Sequence, residues 1–185
     1  MNNFRLLLTT FVLLGFLGCS IAFIFHRYSI IQKLVVVTSS FASMLLFIRL
    51  LFSIPGTKIC NHVIETRIDD FCISTGSYAH CFKCNACIFK KDHHCIWLNS
   101  CIGQNNKKTF IFFLISAVIL GTSLFTPFYK LVLGIEIFPL FILLGFFCIF
   151  YTLVLLLLFS LSVYHIVLTC IGITSCEFYG MYFKK

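Results

Sequence analysis

Between His80 and Phe110 the chain reads HCFKCNACIFKKDHHCIWLNSCIGQNNKKTF, and most of the residues able to do chemistry stand there. Five of the eleven cysteines, three of the six histidines and the single tryptophan fall in this stretch. By spacing it is His80-Cys81-x2-Cys84-x2-Cys87-x4-Asp92-His93-His94-Cys95-x5-Cys101. Two-residue gaps let neighbouring thiolates converge on one tetrahedral zinc, an ion that takes Cys sulfur and His nitrogen. Cys81, Cys84, Cys87, Cys95 and Cys101 with His80, His93 and His94 make eight possible ligands, enough for two purely structural sites. Asp92-His93-His94-Cys95 resists that division, because an acid, two imidazoles and a thiol in direct succession do not easily all face metal. An Asp that orients a His that activates a Cys is the general arrangement for a thiolate nucleophile. One His can then ligate while the other serves the cysteine.

The elements that must position these residues are apolar. Of 185 residues 60% are hydrophobic, 24 are Phe and only 11% are charged, which lies outside the range of soluble domains and points to a membrane protein. Four segments supply the run of about 20 apolar residues that a spanning helix needs: Leu6 to Phe25, Ile30 to Phe52, Phe110 to Tyr129, and a stretch from Ile137 onward. A cleaved signal near Leu17-Gly18-Cys19-Ser20 is the other reading of the first run, but uncharged residues continue past it to His26-Arg27. The third span is expected to reach Pro127, with Phe128 to Glu136 as a short link.

The expected fold is an all-α integral membrane protein. Residues 1–53 hold transmembrane helices 1 and 2, residues 54–108 a small zinc-stapled cysteine-rich domain, residues 109–173 transmembrane helices 3 and 4, and residues 174–185 a short tail. The domain has few aliphatic residues and is too small for an ordinary core, so it needs a metal staple. The uncharged stretch ending at Ile173 is too long for one crossing and too short for two. It predicts a last helix that continues past the bilayer and places Thr174-Ser175-Cys176-Glu177 near the cysteine-rich loop.

Charge sets the orientation. Eleven Lys and Arg lie in or beside that loop and the termini, against Arg27, Lys33 and Lys130 on the opposite side. The positive-inside rule therefore puts the loop and both termini in the cytosol, where thiols stay reduced and clustered cysteines bind metal or catalyse. The net charge of +8 reads as orientation and attraction to anionic headgroups, and not as nucleic-acid binding.

The segment resembles the cysteine-rich domain of the DHHC protein S-acyltransferases, the palmitoyltransferases. The family order HC-x2-C-x2-C-x4-DHHC-x5-C-x4-N-x3-F is reproduced through Asn106 and Phe110, and Thr174-Ser175-Cys176-Glu177 is similar to the family's TTxE motif. The resemblance implies that Cys95 is the acylated nucleophile, His93 its base and Asp92 the group that orients His93. It implies that Cys81, Cys84, His94 and Cys101 hold one zinc. His80 and Cys87 belong to a second site whose upstream C-x2-C is missing, Arg67 and Asp70 standing in those positions. Cys72, Cys60 or His62 could replace the absent pair, or this lobe has no zinc and is held by packing alone; one firmly bound zinc is the expectation. Ile96 stands where the family usually has Pro, while Trp97 and Asn99 are in place.

The implied reaction moves a fatty acyl group, palmitoyl by expectation, from acyl-CoA to Cys95 and then to a cysteine of a cytosolic or membrane-attached protein near the bilayer. CoA phosphates are expected at Lys90, Lys91, Lys107 and Lys108, Trp97 along the thioester, and the acyl chain in the apolar helix bundle. The location is an endomembrane, ER or Golgi, or the plasma membrane. The alternative of another class is an inactive zinc-stapled adaptor or chaperone of the same fold. A RING-type zinc module fits less well, since its longer ligand gaps leave no reason for Asp92 or a spare cysteine.

Overall fold

The computed structural model describes residues 28–58, 74–75, 77–134 and 136–183. The expected first span, and with it any fourth crossing, lies outside them, as do Cys60, His62, Arg67, Asp70 and Cys72. Four helices are present among the described residues: α1 (Ile30–Phe52), α2 (Lys107–Leu133), α3 (Phe138–Ile171) and α4 (Ser175–Phe183). Three helical segments, Ile30–Phe52, Lys107–Lys130 and Phe138–Ile171, are long and apolar enough to cross a membrane.

Two compact units share these helices, one holding Phe113–Val163 with the chain up to Leu45, the other Leu46–Phe112 with Tyr164–Lys185. In the first, α1 begins at a capping box: Gln32 N donates to Ser29 Oγ and Ser29 N donates to Gln32 Oε1. Val36 is buried against Leu120, with Tyr28 and Leu124 beside them. Ser43 Oγ donates to Ser116 Oγ at 2.9 Å, so two hydroxyls satisfy each other between apolar helices. Tyr151 Oη donates to Gly121 O at 2.7 Å. A Cβ at Gly121 would stand 2.7 Å from Leu155 Cδ1 and would displace that leucine tip. Phe146, Phe150 and Leu157 face outward from α3. That is how a helix with its backbone satisfied internally presents itself to lipid.

The second unit carries the cysteine-rich residues, and it is built of strands. β1 (Thr57–Lys58), β2 (Ser74–Thr75), β3 (Tyr78–Cys81) and β4 (Ala86–Phe89) form an antiparallel sheet in the order β1-β4-β3-β2, while β5 (His93–Cys95) and β6 (Ser100–Ile102) form a separate hairpin. The fold is therefore mostly helical and not all-α. No 3.6-residue apolar period runs through this region, and the short cysteine gaps fall at tight turns instead. The turns Phe82–Asn85 and Ile96–Asn99 each end on an asparagine with positive φ, 47° and 45°. Asparagine is among the few side chains that tolerate this conformation.

Two residues lock the hairpins to the helix that follows. Gly103 packs where a Cβ would lie 2.5 Å from Pro55 O and 2.6 Å from Ile88 Cγ2. Asn106, buried, accepts from Gly103 N and donates to Ser53 Oγ and Cys101 O. With Asn106 O accepting from Phe110 N at 3.0 Å, α2 starts at Lys107, three residues before the expected span. It also runs through Pro127, where the sequence reading ended the span. A proline removes one backbone donor, a loss that neighbouring groups make good in apolar helices.

α3 has 34 residues, about 51 Å at the usual rise and well beyond a hydrocarbon core of about 30 Å. It stops at Gly172, φ 83°, where Ile173 N donates to Leu168 O. This is the bond that closes a helix on a left-handed residue.

Candidate functional site

Strand alternation sorts the consecutive histidines. In β5, His93 and Cys95 share one face and His94 takes the other, because successive side chains in a strand point to opposite sides. His94 stands opposite Cys101 across the hairpin, so both present to one side. Cys81 closes β3 and Cys84 sits in the turn after it. Those four side chains meet: His94 Nδ1 is 3.5 Å from Cys81 Sγ, 3.3 Å from Cys84 Sγ and 3.7 Å from Cys101 Sγ, and Cys84 and Cys101 sulfurs are 3.5 Å apart. A tetrahedral zinc with its usual bond lengths sets ligand atoms about 3.5 to 3.8 Å apart. The cluster thus fits zinc in number, chemistry and spacing.

Charge makes the same point. The hydrogen bond from Cys101 draws the Cys81 thiol down to about 4, against its burial. That charged neighbour, then burial, drives Cys101 far up, and burial raises Cys84. Three clustered thiols cannot all ionise unaided; a dication lets them.

His80 and Cys87, opposite each other in β3 and β4, also approach, with Cys87 Sγ 3.7 Å from His80 Nδ1. Cys87 is disulfide-bonded in the structure, as is Cys176. A disulfide sulfur has no thiolate to offer, so this pair can serve a metal only with that bond reduced.

On the other face of β5, Asp92 gathers partners from several elements. His93 Nδ1 donates to its Oδ2 at 2.8 Å, and Lys107 Nζ, at the start of α2, lies 2.9 Å from Oδ1. At α4, Ser175 N donates to Oδ1 at 3.1 Å and Ser175 Oγ to Oδ2 at 2.9 Å. His165 Nδ1, from α3, stands 3.4 Å from Oδ2. Burial by itself would raise the Asp92 carboxyl; His165, His93 and Lys107 together outweigh it and hold the group well below the usual carboxylate range. Burial also works against a charged His93, but its hydrogen bonds to Asp92 and Cys95 raise it to about 9. With Nδ1 on Asp92, Nε2 is the nitrogen left for Cys95. At neutral pH an imidazolium then shares the strand face of the Cys95 sulfur.

The tail motif has a physical reading. Glu177 N donates to Thr174 Oγ1 and Thr174 N donates to Glu177 Oε2 at 2.7 Å, a capping box that starts α4. Ser175, between them, is free to grip Asp92.

The lysines divide. Lys90 is exposed, but Lys91 is buried and its Nζ donates to His80 O at 3.0 Å. Lys107 is committed to Asp92 and to Ile173 O. Ile96 and Trp97, in the turn beside Cys95, are 62% and 68% exposed. His165 was not singled out from the sequence, where a histidine near the end of a 34-residue helix reads as ordinary interface; its only signal was being polar in an otherwise uncharged run.

A family model described as DHHC palmitoyltransferase matches residues 72–181, more than half of the chain. The chain belongs to the DHHC palmitoyltransferase family. It is 50% identical over 48 residues to the palmitoyltransferase ERF2 of Eremothecium gossypii, covering 26% of this chain and 13% of that protein. It is 51% identical over 41 residues to the palmitoyltransferase swf1 of Schizosaccharomyces pombe, covering 22% and 12%. A longer match, 29% over 103 residues, is to the palmitoyltransferase ZDHHC3 of Rattus norvegicus, covering 48% and 34%. The chain therefore spans a minor part of the length of these DHHC relatives.

Proposed function

We propose that this DHHC protein is a protein S-acyltransferase that carries a fatty acyl group, palmitoyl by expectation, from acyl-CoA to protein cysteines through a thioester on Cys95. The observation that carries the reading is the division of labour along β5: His94 turns to the sulfur cluster, while His93, bonded to Asp92, shares the opposite strand face with Cys95.

The steps balance without an energy source. Cys95 sulfur attacks the carbonyl carbon of acyl-CoA; a C–S bond to Cys95 forms as the C–S bond to CoA breaks, and the CoA sulfur leaves with a proton from His93. A substrate cysteine then gives its proton to His93 and takes the acyl carbon, and the Cys95 thiolate returns. Asp92 holds Nδ1, so that Nε2 carries the proton. Cys81, Cys84, His94 and Cys101 would hold a zinc that staples β3 to the β5–β6 hairpin, a structural service that leaves the transfer to Cys95 and His93. A single firmly held zinc is proposed; His80 and Cys87 would serve a second one only with the Cys87 disulfide reduced. Among the basic residues, exposed Lys90 and Lys108 suit the CoA phosphates better than Lys91, and Trp97 suits the thioester end of the acyl chain. We further propose four spans, with the loop and both termini in the cytosol and the protein in the ER, Golgi or plasma membrane.

Purified protein given labelled palmitoyl-CoA should acquire a hydroxylamine-sensitive label that Cys95→Ala abolishes while keeping its zinc. If Cys95→Ala takes label as readily as wild type, the transferase reading gives way to an inactive adaptor of the same fold.

A further inference from the structure

His165 is an unexplained expense. It is 3% exposed, and among the described residues its Nδ1 makes no hydrogen bond. A buried polar nitrogen left in that state costs free energy that an apolar residue would not. Its ring packs edge-on to Phe110 at 5.1 Å and lies 5.2 Å from the His93 ring, and Phe110 in turn sits edge-on to His93. Packing accounts for an aromatic ring at this position. It does not account for a nitrogen aimed at a carboxylate.

That nitrogen faces Asp92 Oδ2 at 3.4 Å, the same oxygen that accepts from His93 Nδ1 and Ser175 Oγ. Two acceptors would repel at that distance, so Nδ1 carries the hydrogen. Oδ2 already has two closer donors, which leaves His165 Nδ1 at 3.4 Å, longer than an ordinary N–H···O bond and able to close when either of them loosens.

We infer that His165 is a positioning residue for the transfer reaction, a reserve donor that holds the Asp92 carboxylate, and through it the His93 ring, as His93 exchanges protons with the reacting sulfurs. The inference rests on the transferase reading and adds a residue from α3 to it. During each half-reaction His93 must lean toward a sulfur, which weakens its hold on Oδ2. A donor approaching from α3 then keeps the carboxylate from turning. Asp92, His93 and His165 could also be read as metal ligands, since their donor atoms lie within 4.8 Å of one another. The Lys107 ammonium on the same carboxylate argues against a second cation there.

The test uses the full chain in detergent or nanodiscs. His165→Phe keeps a ring and removes the donor; His165→Asn returns an amide N–H close to the place of Nδ1. Acyl-enzyme formation from labelled palmitoyl-CoA is followed under single-turnover conditions, with metal content by elemental analysis. Alkylation of Cys95 by iodoacetamide, read on the Cys95 peptide, reports the same sulfur without an acyl donor. With a hydrogen bond to a charged group at stake, His165→Phe should slow both reactions by about tenfold at unchanged zinc, and His165→Asn should recover to within about threefold of wild type. Should His165→Phe not fold, His165→Leu, which also removes the donor, takes its place. Wild-type rates in the donor-less variant overturn the inference. So does an asparagine variant as slow as phenylalanine, a loss of zinc in both, or one metal fewer in either. If wild type takes no acyl label yet alkylation still depends on the donor, the transferase reading fails and the positioning of Cys95 by His165 stands.

Discussion

At the scale of single residues, the opposite faces taken by His93 and His94 follow from one strand register, and the roles proposed for them follow from those faces. His93→Ala should slow acyl-enzyme formation by about a hundredfold or more while leaving zinc bound, and raising the pH should recover part of the rate as thiolate forms without help. His94→Ala should lose zinc and activity together, with no recovery in alkali; elemental analysis beside the acylation assay separates the two. Stability carries the same signature. The folded-state value of His93, about 9, lies above its ordinary 6.5. Its stabilisation is therefore complete below the ordinary value and is lost as pH rises through about 9. Thermal melts from neutral pH to about pH 10 should fall more steeply for wild type than for His93→Gln.

At the scale of elements, what matters is how short hairpins are held to helices. Gly103 has backbone on one side and Ile88 on the other, both closer than a methyl group allows. Gly103→Ala should destabilise the cysteine-rich unit by roughly 1 to 3 kcal/mol, seen as zinc released to a chelator at lower denaturant than in wild type. At the far end, the capping box of α4 presents Ser175 to Asp92. Thr174 and Glu177 were legible as a family motif, but a motif does not tell a cap from a ligand. Only the paired bonds between them, and the turning of Ser175 to a carboxylate 83 positions earlier, separate those roles.

At the scale of the whole molecule, the unit that holds the chemistry draws residues from widely separated parts of the chain, and Asp92 is where they meet. Lys107, His165 and Ser175 reach it from three helices. Removing a buried charge leaves its partner unpaired, so Asp92→Ala should cost roughly 3 kcal/mol or more and lower the yield of folded, zinc-bound protein. This is a larger effect than the mild loss of orientation that the sequence suggests for an acid beside a base. Measured zinc retention and melting temperature in Asp92→Ala against His93→Ala decide between them.

The sequence alone determined that the chain is a membrane protein, because runs of apolar residues long enough for a bilayer need no partner to be recognised. Through the resemblance it grouped Cys81, Cys84, His94 and Cys101, which the structure brings together as a cluster able to hold a metal, and it carried the residue counts behind the long last helix, since spacing is a property of the chain itself. It did not determine that the cysteine-rich region is stranded. Strands this short have almost no apolar period of their own and exist because turns and cross-strand partners pair them. Nor did it reveal that Lys91 and Lys107 turn inward, or that His165 stands over Asp92. Whether a lysine faces water or a carboxylate depends on which distant residues fold against it, and that is decided only when α2, α3 and the hairpins come together around one buried charge.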